Sequence, residues 1–181
     1  MIGAAMAQRR LGASYCEHAT LADGTSVALR PLRATDAPLL QAGLLELSPR
    51  TRYLRFHGPR KEFSPEELRY LTELDGEKHF ALVAFTMPSS RMVAVARFVR
   101  SSAAPAAAEI ALVVGDALQG KGLGSLLMSR LREAALERNV TRFTGIMLEE
   151  NHPMRELLRK LGGRVRMAVR GECDIELALI S

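Results

Sequence analysis

The sequence predicts a mixed α/β fold, with a mostly antiparallel, twisted sheet and helices on both faces. This prediction rests on the order of the elements: one strand, short helices, three strands, a helix, then a strand, a helix and a closing hairpin. A chain of 181 residues, 48% of them apolar, is long enough for one domain with a full core.

The first half of the chain is predicted to contain one strand and three short helices. Asp23-Gly24 is a tight-turn signal before a strand at residues 27–30. Capping residues and prolines then predict helix starts at Thr35 or Asp36, at Ser48-Pro49 and at Ser64-Pro65.

The second half is richer in strands. A long helix begins in a glycine-rich turn and ends near residue 138, and a second begins at Pro153 and stops at Gly162-Gly163. The predicted strands cover residues 79–85, 92–99, 109–114 and 140–148, with a closing hairpin of residues 165–169 and 175–180.

The N-terminal segment carries little structural signal. Arg9 and Arg10 follow a small apolar stretch, whereas a secretory signal has its charges first. We therefore expect a poorly ordered tail over residues 1–20 and a single domain over residues 21–181. No apolar run reaches the roughly 18 residues of a membrane span, so no membrane contact is expected.

Composition narrows the location and the partners. Cys16 and Cys173 are far apart in sequence, which favours two free thiols in a reducing cytoplasm over a disulfide framework. The four histidines lack metal-ligand spacing, so we expect no metal. A net charge of +5 without basic runs interleaved with aromatics gives no indication of nucleic-acid binding.

The most informative segment is an apolar strand, residues 108–114, followed by a turn with glycines at 120, 122 and 124. The turn opens a helix with Leu123, Leu127 and Leu131 on one face. Glycines remove the Cβ atoms that would keep a phosphate away from the backbone amides at the positive end of the helix dipole. This turn therefore predicts a phosphate site.

Three glycine-turn patterns compete for this site. Residues 115–121 match G-x-x-x-x-G-K, but Gly122 stands where a nucleotide-triphosphate loop needs Ser or Thr for magnesium. The dinucleotide pattern G-x-G-x-x-G fails, because Gly124 follows Gly122 too early and no acid takes the ribose position. A third pattern, Q/R-x-x-G-x-G/A, is satisfied by Gln119, Gly122 and Gly124.

This third pattern resembles the coenzyme A pyrophosphate loop of the GNAT superfamily of N-acetyltransferases, whose element order the chain also follows from about Leu21 onward. Within that superfamily, residues 29–32, 47–56 and 149–154 look like the bacterial protein lysine acetyltransferases of the Pat type. In that group the acetyltransferase domain is often joined to an acyl-CoA synthetase-like or cyclic-nucleotide domain, and neither fits in this chain.

The resemblance implies acetyl-CoA as co-substrate and a set of residues that bind it. The strand that ends at Val114 would separate from its neighbour and pair with the pantetheine arm through its backbone. Lys121 would add charge to a phosphate or remain a solvated loop lysine, and Asn151 would contact the cofactor or only cap a helix. The cofactor-binding candidates are Leu112, Val113, Val114, Gln119, Gly120, Lys121, Gly122, Leu123, Gly124, Ser125 and Asn151.

Acetyl transfer to an amine needs a base, because a lysine amine is almost wholly protonated at neutral pH. Glu109 is the only acid between residues 106 and 114, and it occupies the position of the catalytic glutamate in the enzymes that the sequence resembles. The alternative is a solvent-facing glutamate at a strand edge. GNAT enzymes often carry a tyrosine acid in the last helix, where Leu158 stands here, so we name no general acid.

The sequence thus predicts a cytoplasmic, acetyl-CoA-dependent N-acetyltransferase whose acceptor is a protein lysine. Two alternatives stay open: a small amine as acceptor, or an acyl-CoA-binding regulatory module without catalysis. Tyr53 and the arginines Arg50, Arg52 and Arg55 fall in the segment that shapes the acceptor side of GNAT folds. They would either steer an acidic acceptor surface or form a solvated helix face.

Overall fold

Eight strands form one sheet in the computed structural model, which describes residues 10–180. The spatial order is β1-β2-β3-β4-β5-β6-β8-β7, so the last hairpin inserts its second strand beside β6. The strands are β1 Glu17–Thr20, β2 Ser26–Pro31, β3 His79–Thr86, β4 Arg91–Arg100, β5 Ala107–Val114, β6 Arg142–Leu148, β7 Arg164–Met167 and β8 Glu172–Ala178.

Five α-helices accompany the sheet within these residues. They are α1 Ala37–Glu46, α2 Pro49–Phe56, α3 Pro65–Thr72, α4 Leu123–Leu136 and α5 His152–Lys160. Ser48 caps α2 and Ser64 caps α3, each by accepting a hydrogen bond from a backbone N–H three residues later. Both caps are local signals, which is why the sequence predicts these starts correctly.

The pairing of strands is antiparallel throughout the described sheet, except between β5 and β6, which are parallel. The parallel pair is joined by α4, the crossover helix that such a connection requires. The mixed, mostly antiparallel fold predicted from the sequence is confirmed.

The core has two parts because both faces of the sheet are covered. On β3, Phe80 and Leu82 belong to the cluster under α4 and α5, whereas Ala81 and Val83 belong to the cluster under α1 and α3. This alternation follows from the period of two in a strand. The central strands are therefore apolar in a continuous run.

The N-terminal boundary differs from the expected one. Residues 1–9 lie outside the described part of the chain, but residues 17–20 form β1 and Leu11 is fully buried. The folded part thus begins before residue 21. A four-residue edge strand with alternate exposed positions leaves almost no pattern in the sequence.

The start of α1 also differs in detail from the prediction. Asp36 stands at its N-cap position, but the carboxylate accepts from the backbone N–H of Arg33 at 2.8 Å and caps the short 3₁₀ turn at residues 34–36 instead. The same carboxylate pairs with both terminal nitrogens of Arg30, at 2.7 and 2.8 Å. Asp36 therefore ties this turn to β2.

Candidate functional site

The cleft opens where β5 and β6 separate. Their parallel pairing ends at Glu109↔Thr144, although β5 continues to Val114 and stays paired with β4 over that length. The backbone of residues 110–114 consequently presents hydrogen-bonding groups to the gap on its β6 side. The separation that the resemblance implies is present.

Most of the predicted site residues line this one cleft, which has a volume of about 920 Å³. The cleft runs along β5 from Glu109, over the glycine turn, to the start of α5. Its lining includes Glu109, Leu112, Val113, Val114, Gln119, Gly120, Gly122, Gly124, Ser125 and Asn151.

The glycine turn adopts the backbone geometry that requires glycine. Gly120 and Gly122 have φ values of 73° and 92°, in the left-handed region where a Cβ would be strained. The first backbone bond of α4 runs from the N–H of Leu126 to the carbonyl of Gly122, so the preceding amides of the helix have no partner within it. These amides can bind an anion.

Gly124 leaves room for a ligand. A Cβ built there would lie 3.6 Å from a methyl carbon of Leu112 and 3.6 Å from one of Leu157. A methyl group would therefore be in ordinary van der Waals contact, and a larger side chain would enter the space between β5 and α5. The turn and this gap fit an elongated ligand with a phosphate at one end.

Two candidates are placed differently from the others. The Nζ of Lys121 lies 2.7 Å from a carboxylate oxygen of Asp23, and Leu123 is fully buried in the core under α4. Neither residue is among those that line the cleft. Their side chains therefore lie outside the cleft, although their backbone belongs to the glycine turn.

The Gln119 side chain has a structural task. Its Nε2 donates to the carbonyl of Val114 at 3.0 Å and to the Oγ1 of Thr51 at 3.2 Å. It thus joins the end of β5 to the first turn of α2. Because the side-chain nitrogen is engaged in these two hydrogen bonds, the group of Gln119 that resembles the other amides of the turn is its backbone N–H.

Asp116 holds α2 over the cleft, and sequence reasoning did not identify it. Its carboxylate accepts from the N–H of Ser48 at 2.9 Å, the Oγ of Ser48 at 2.6 Å and the Oγ1 of Thr51 at 2.7 Å. Burial acts to raise the pKa of Asp116, but these hydrogen bonds outweigh it and lower the pKa. The partners are 65 to 68 residues apart in sequence, so no local signal reveals the clamp.

Asn151 lies at the far wall of the cleft. Its Oδ1 accepts from the N–H of Met154 at 3.2 Å and caps α5, as one of the two sequence interpretations expects. The cap uses only the carboxamide oxygen, so the nitrogen of the same group can still donate to a ligand.

The end of the cleft beyond Glu109 is formed by the last turns of α2 and α3. Glu109 is exposed to the cleft. His57 follows α2, and its Nδ1 lies 3.1 Å from a carboxylate oxygen of Glu172 on β8. Tyr70 of α3 is exposed on the same wall, with its ring 5.0 Å from that of His79. We call this part of the cleft the acceptor end.

A buried polar pair forms the floor of the acceptor end. Arg97 is 6% exposed, and its Nη1 donates to the carbonyl of Leu71 at 3.1 Å and lies 3.0 Å from the Nε2 of His79. Burial and the nearby Arg97 guanidinium lower the pKa of His79 to about 4, against a smaller opposing effect of Asp75. A neutral His79 can therefore accept the hydrogen bond from Arg97.

No cluster of three or more His, Cys, Asp or Glu side chains in residues 10–180 is arranged to hold a metal ion. None of the helices described above is long and apolar enough to cross a membrane.

Comparison with known proteins identifies the family. Residues 26–164 match the family described as the acetyltransferase (GNAT) domain. The acetyltransferase Pat of Mycolicibacterium smegmatis is 38% identical over 134 residues, which cover 74% of this chain and 40% of that protein. The chain thus spans less than half the length of this relative.

Two further matches cover more of their own chains. The acetyltransferase PA5475 of Pseudomonas aeruginosa is 32% identical over 145 residues, 79% of this chain and 77% of that protein. The crystal structure of the GNAT domain of S. lividans PAT has a TM-score of 0.83 and 26% identity, and covers 92% of this chain and 98% of that one. With the separated strands, the glycine turn and the family match, the chain belongs to the GNAT family of acetyltransferases, which are acetyl-CoA-dependent acyltransferases.

Proposed function

We propose that this protein transfers the acetyl group of acetyl-CoA to lysine side chains of protein acceptors, with Glu109 as general base. The observation that carries the proposal is the end of the β5–β6 pairing at Glu109. The exposed carboxylate of Glu109 therefore lies where β5 loses its β6 partner. The edge of β5 that is unpaired on this side runs from there to the glycine turn.

The cofactor assignment follows from the same geometry. The pantetheine arm binds along residues 110–114 as an added strand, and the diphosphate binds the amides of Gln119 to Ser125. The open space at Gly124 supports this path, since a side chain there would contact Leu112 and Leu157.

The chemistry requires few groups. The neutral amine attacks the thioester carbonyl carbon, a C–N bond forms, the C–S bond breaks, and the sulfur leaves as a thiolate. Glu109 accepts the proton of the amine, directly or through one water. Leu158, at the position of the usual tyrosine acid, is fully buried and has no acidic proton, so the thiolate takes its proton from water.

The acceptor class and the location rest on different support. The resemblance of residues 29–32, 47–56 and 149–154 to the bacterial protein lysine acetyltransferases favours a protein lysine over a small amine. The cysteines Cys16 and Cys173 are both free thiols, which agrees with a reducing cytoplasm.

The first test changes the proposed base. Glu109→Gln should lower kcat about 10²- to 10⁴-fold, while calorimetry should give an unchanged dissociation constant for acetyl-CoA. Glu62→Gln, at an exposed loop glutamate outside the cleft, is the matched control and should keep full activity.

Each part of the proposal fails separately. If calorimetry gives no heat of binding with millimolar acetyl-CoA, the assignment of the cofactor is wrong. If Glu109→Gln keeps full turnover across pH, the assignment of Glu109 as the base is wrong. Turnover with polyamines or amino acids but with no protein acceptor would replace the acceptor class.

A further inference from the structure

Helix α2 lies alongside β5, and only one of its arginines faces the cleft. Thr51 is fixed near the end of β5 by Asp116 and Gln119. Arg55 is four residues later and so lies on the same helix face, one turn nearer to Glu109. Arg50 and Arg52 are not among the cleft-lining residues.

Arg55 differs from the other two arginines near the acceptor end, Arg60 and Arg97, because its side chain has no hydrogen bond and no ion pair within residues 10–180. Arg60 pairs with Glu67 at 2.5 Å, and Arg97 is bonded to Leu71 and His79. The guanidinium of Arg55 instead lies over the ring of Phe56, 4.9 Å from its centroid. Its donors therefore stay available to a ligand.

The surroundings of Arg55 favour an anionic partner. Burial lowers the pKa of its guanidinium, whereas the charge of Glu109 raises it and the charge of Arg60 lowers it. Arg55 is half-buried, and a half-buried cation without a hydrogen-bonded counter-charge is less favourable than a paired one, so a carboxylate from a ligand would stabilise it.

The coenzyme A diphosphate cannot supply this anion. The glycine turn follows the other end of β5, and residues 109 to 114 alone extend about 17 Å. Arg55 is near Glu109 and hence near the acceptor amine. The missing anion therefore belongs to the acceptor.

We propose that Arg55 is a specificity residue that binds a carboxylate adjacent to the acceptor amine. This deepens the proposed function and rests on its assignment of the amine to Glu109. The carboxylate is an acidic side chain next to the lysine in a protein acceptor, or the α-carboxylate of a free amino acid. In both cases the amine contacts Glu109 and the carboxylate forms charge-assisted hydrogen bonds with the guanidinium.

The experiment compares matched acceptors. Two capped peptides carry a lysine followed by Asp or by Asn, and a second pair consists of free lysine and lysinamide. In whichever pair the wild-type protein acetylates, the acceptor with the carboxylate should have a kcat/KM at least about tenfold higher than that of its neutral counterpart. The difference should lie mainly in KM, because the contact is already made in the bound acceptor.

The variant Arg55→Gln should bring this ratio to within about twofold of one, with the neutral acceptor little affected. Arg52→Gln, on the same helix but outside the cleft, is the matched control and should keep the full ratio. Peptide affinity, measured by calorimetry with coenzyme A bound, gives the same comparison without turnover.

The outcomes separate the two proposals. A ratio near one for both acceptor pairs, or a ratio that Arg55→Gln leaves intact, would overturn the role of Arg55. If no acceptor is acetylated but calorimetry still shows tighter binding of the acidic acceptor, only the proposed reaction would be overturned. A preference confined to free lysine over lysinamide would support carboxylate recognition and assign its source to an amino acid.

Discussion

At the scale of single residues, the Asp36 carboxylate is a buried charge whose partners all come from the adjacent strand and turn. It is 3% exposed and is held by both terminal nitrogens of Arg30 and by the N–H of Arg33. Burial acts to raise its pKa, but the hydrogen bonds from Arg30 and Arg33 outweigh burial and lower it. A buried charge that is fully paired is tolerated, but removal of one partner is destabilising.

We expect Asp36→Asn to lower the free energy of unfolding at pH 7 by about 3 kcal/mol, because Arg30 loses its counter-charge. Above the unfolded-state pKa of about 3.9, the carboxylate contributes its full stabilisation. Below that pH, as the folded-state pKa is passed, the difference between the two proteins should shrink. Urea unfolding of both proteins between pH 7 and pH 3 measures this.

The control for Asp36 is the exposed pair of Glu46 and Arg91, with an N–O distance of 2.7 Å. Glu46→Gln should change the free energy of unfolding by less than about 1 kcal/mol, because water screens this pair. An equal effect of the two substitutions would contradict the assigned role of burial.

At the scale of elements, the strand–turn–helix from β5 to α4 is the unit that forms the proposed cofactor half of the site. Its turn needs glycine at 120 and 122 for positive φ, whereas at 124 a methyl group would make ordinary contacts and only a larger side chain would enter the space beside Leu112 and Leu157. The three glycines therefore serve two physical purposes, and the third can be tested without strain in the turn.

We expect Gly124→Val to raise the dissociation constant of acetyl-CoA at least about tenfold, because its methyl groups fill the gap between Leu112 and Leu157. Calorimetry measures the affinity, and thermal unfolding shows whether the variant is folded. Gly43→Ala in α1, where a Cβ meets nothing within 4 Å, is the control and should leave the affinity unchanged. A folded Gly124→Val protein with normal affinity would contradict the assigned path.

At the scale of the whole molecule, the sheet separates two layers, and a buried polar contact crosses into one of them. Arg97 of β4 reaches the carbonyl of Leu71 on α3 and is supported by His79 of β3, which is 9% exposed. This contact attaches α3 to the sheet at the floor of the acceptor end. It requires His79 to stay neutral.

The folded protein should lose stability as the pH falls from about 6.5 to about 4. In that range the unfolded state binds a proton at His79, whereas in the folded state the pKa of His79 is lowered to about 4 by burial and Arg97. His79→Gln should flatten this part of the curve of unfolding free energy against pH. His18→Gln, at an exposed position of β1, should keep the original slope. Parallel curves for the wild-type and His79→Gln proteins would contradict the assignment.

Much of the fold was predictable because its signals are local. Ser48-Pro49 and Ser64-Pro65 mark helix starts through contacts three residues away, and the central strands are marked by apolar runs. β1 was missed because four half-exposed residues form no pattern until they pair with β2.

The sequence by itself determined the strand, turn and helix of the proposed cofactor half of the site, since β5, the glycine turn and α4 are consecutive and their proposed chemistry depends on backbone geometry. Only the tertiary structure decided the acceptor end. It joins residues as far apart as His57 and Glu172, which are separated by 115 positions, and it singles out Arg55 from its neighbours. Contacts over such distances arise from the packing of α2 and α3 onto the sheet, and periodicity indicates which face of an element is buried but not which distant residue that face contacts.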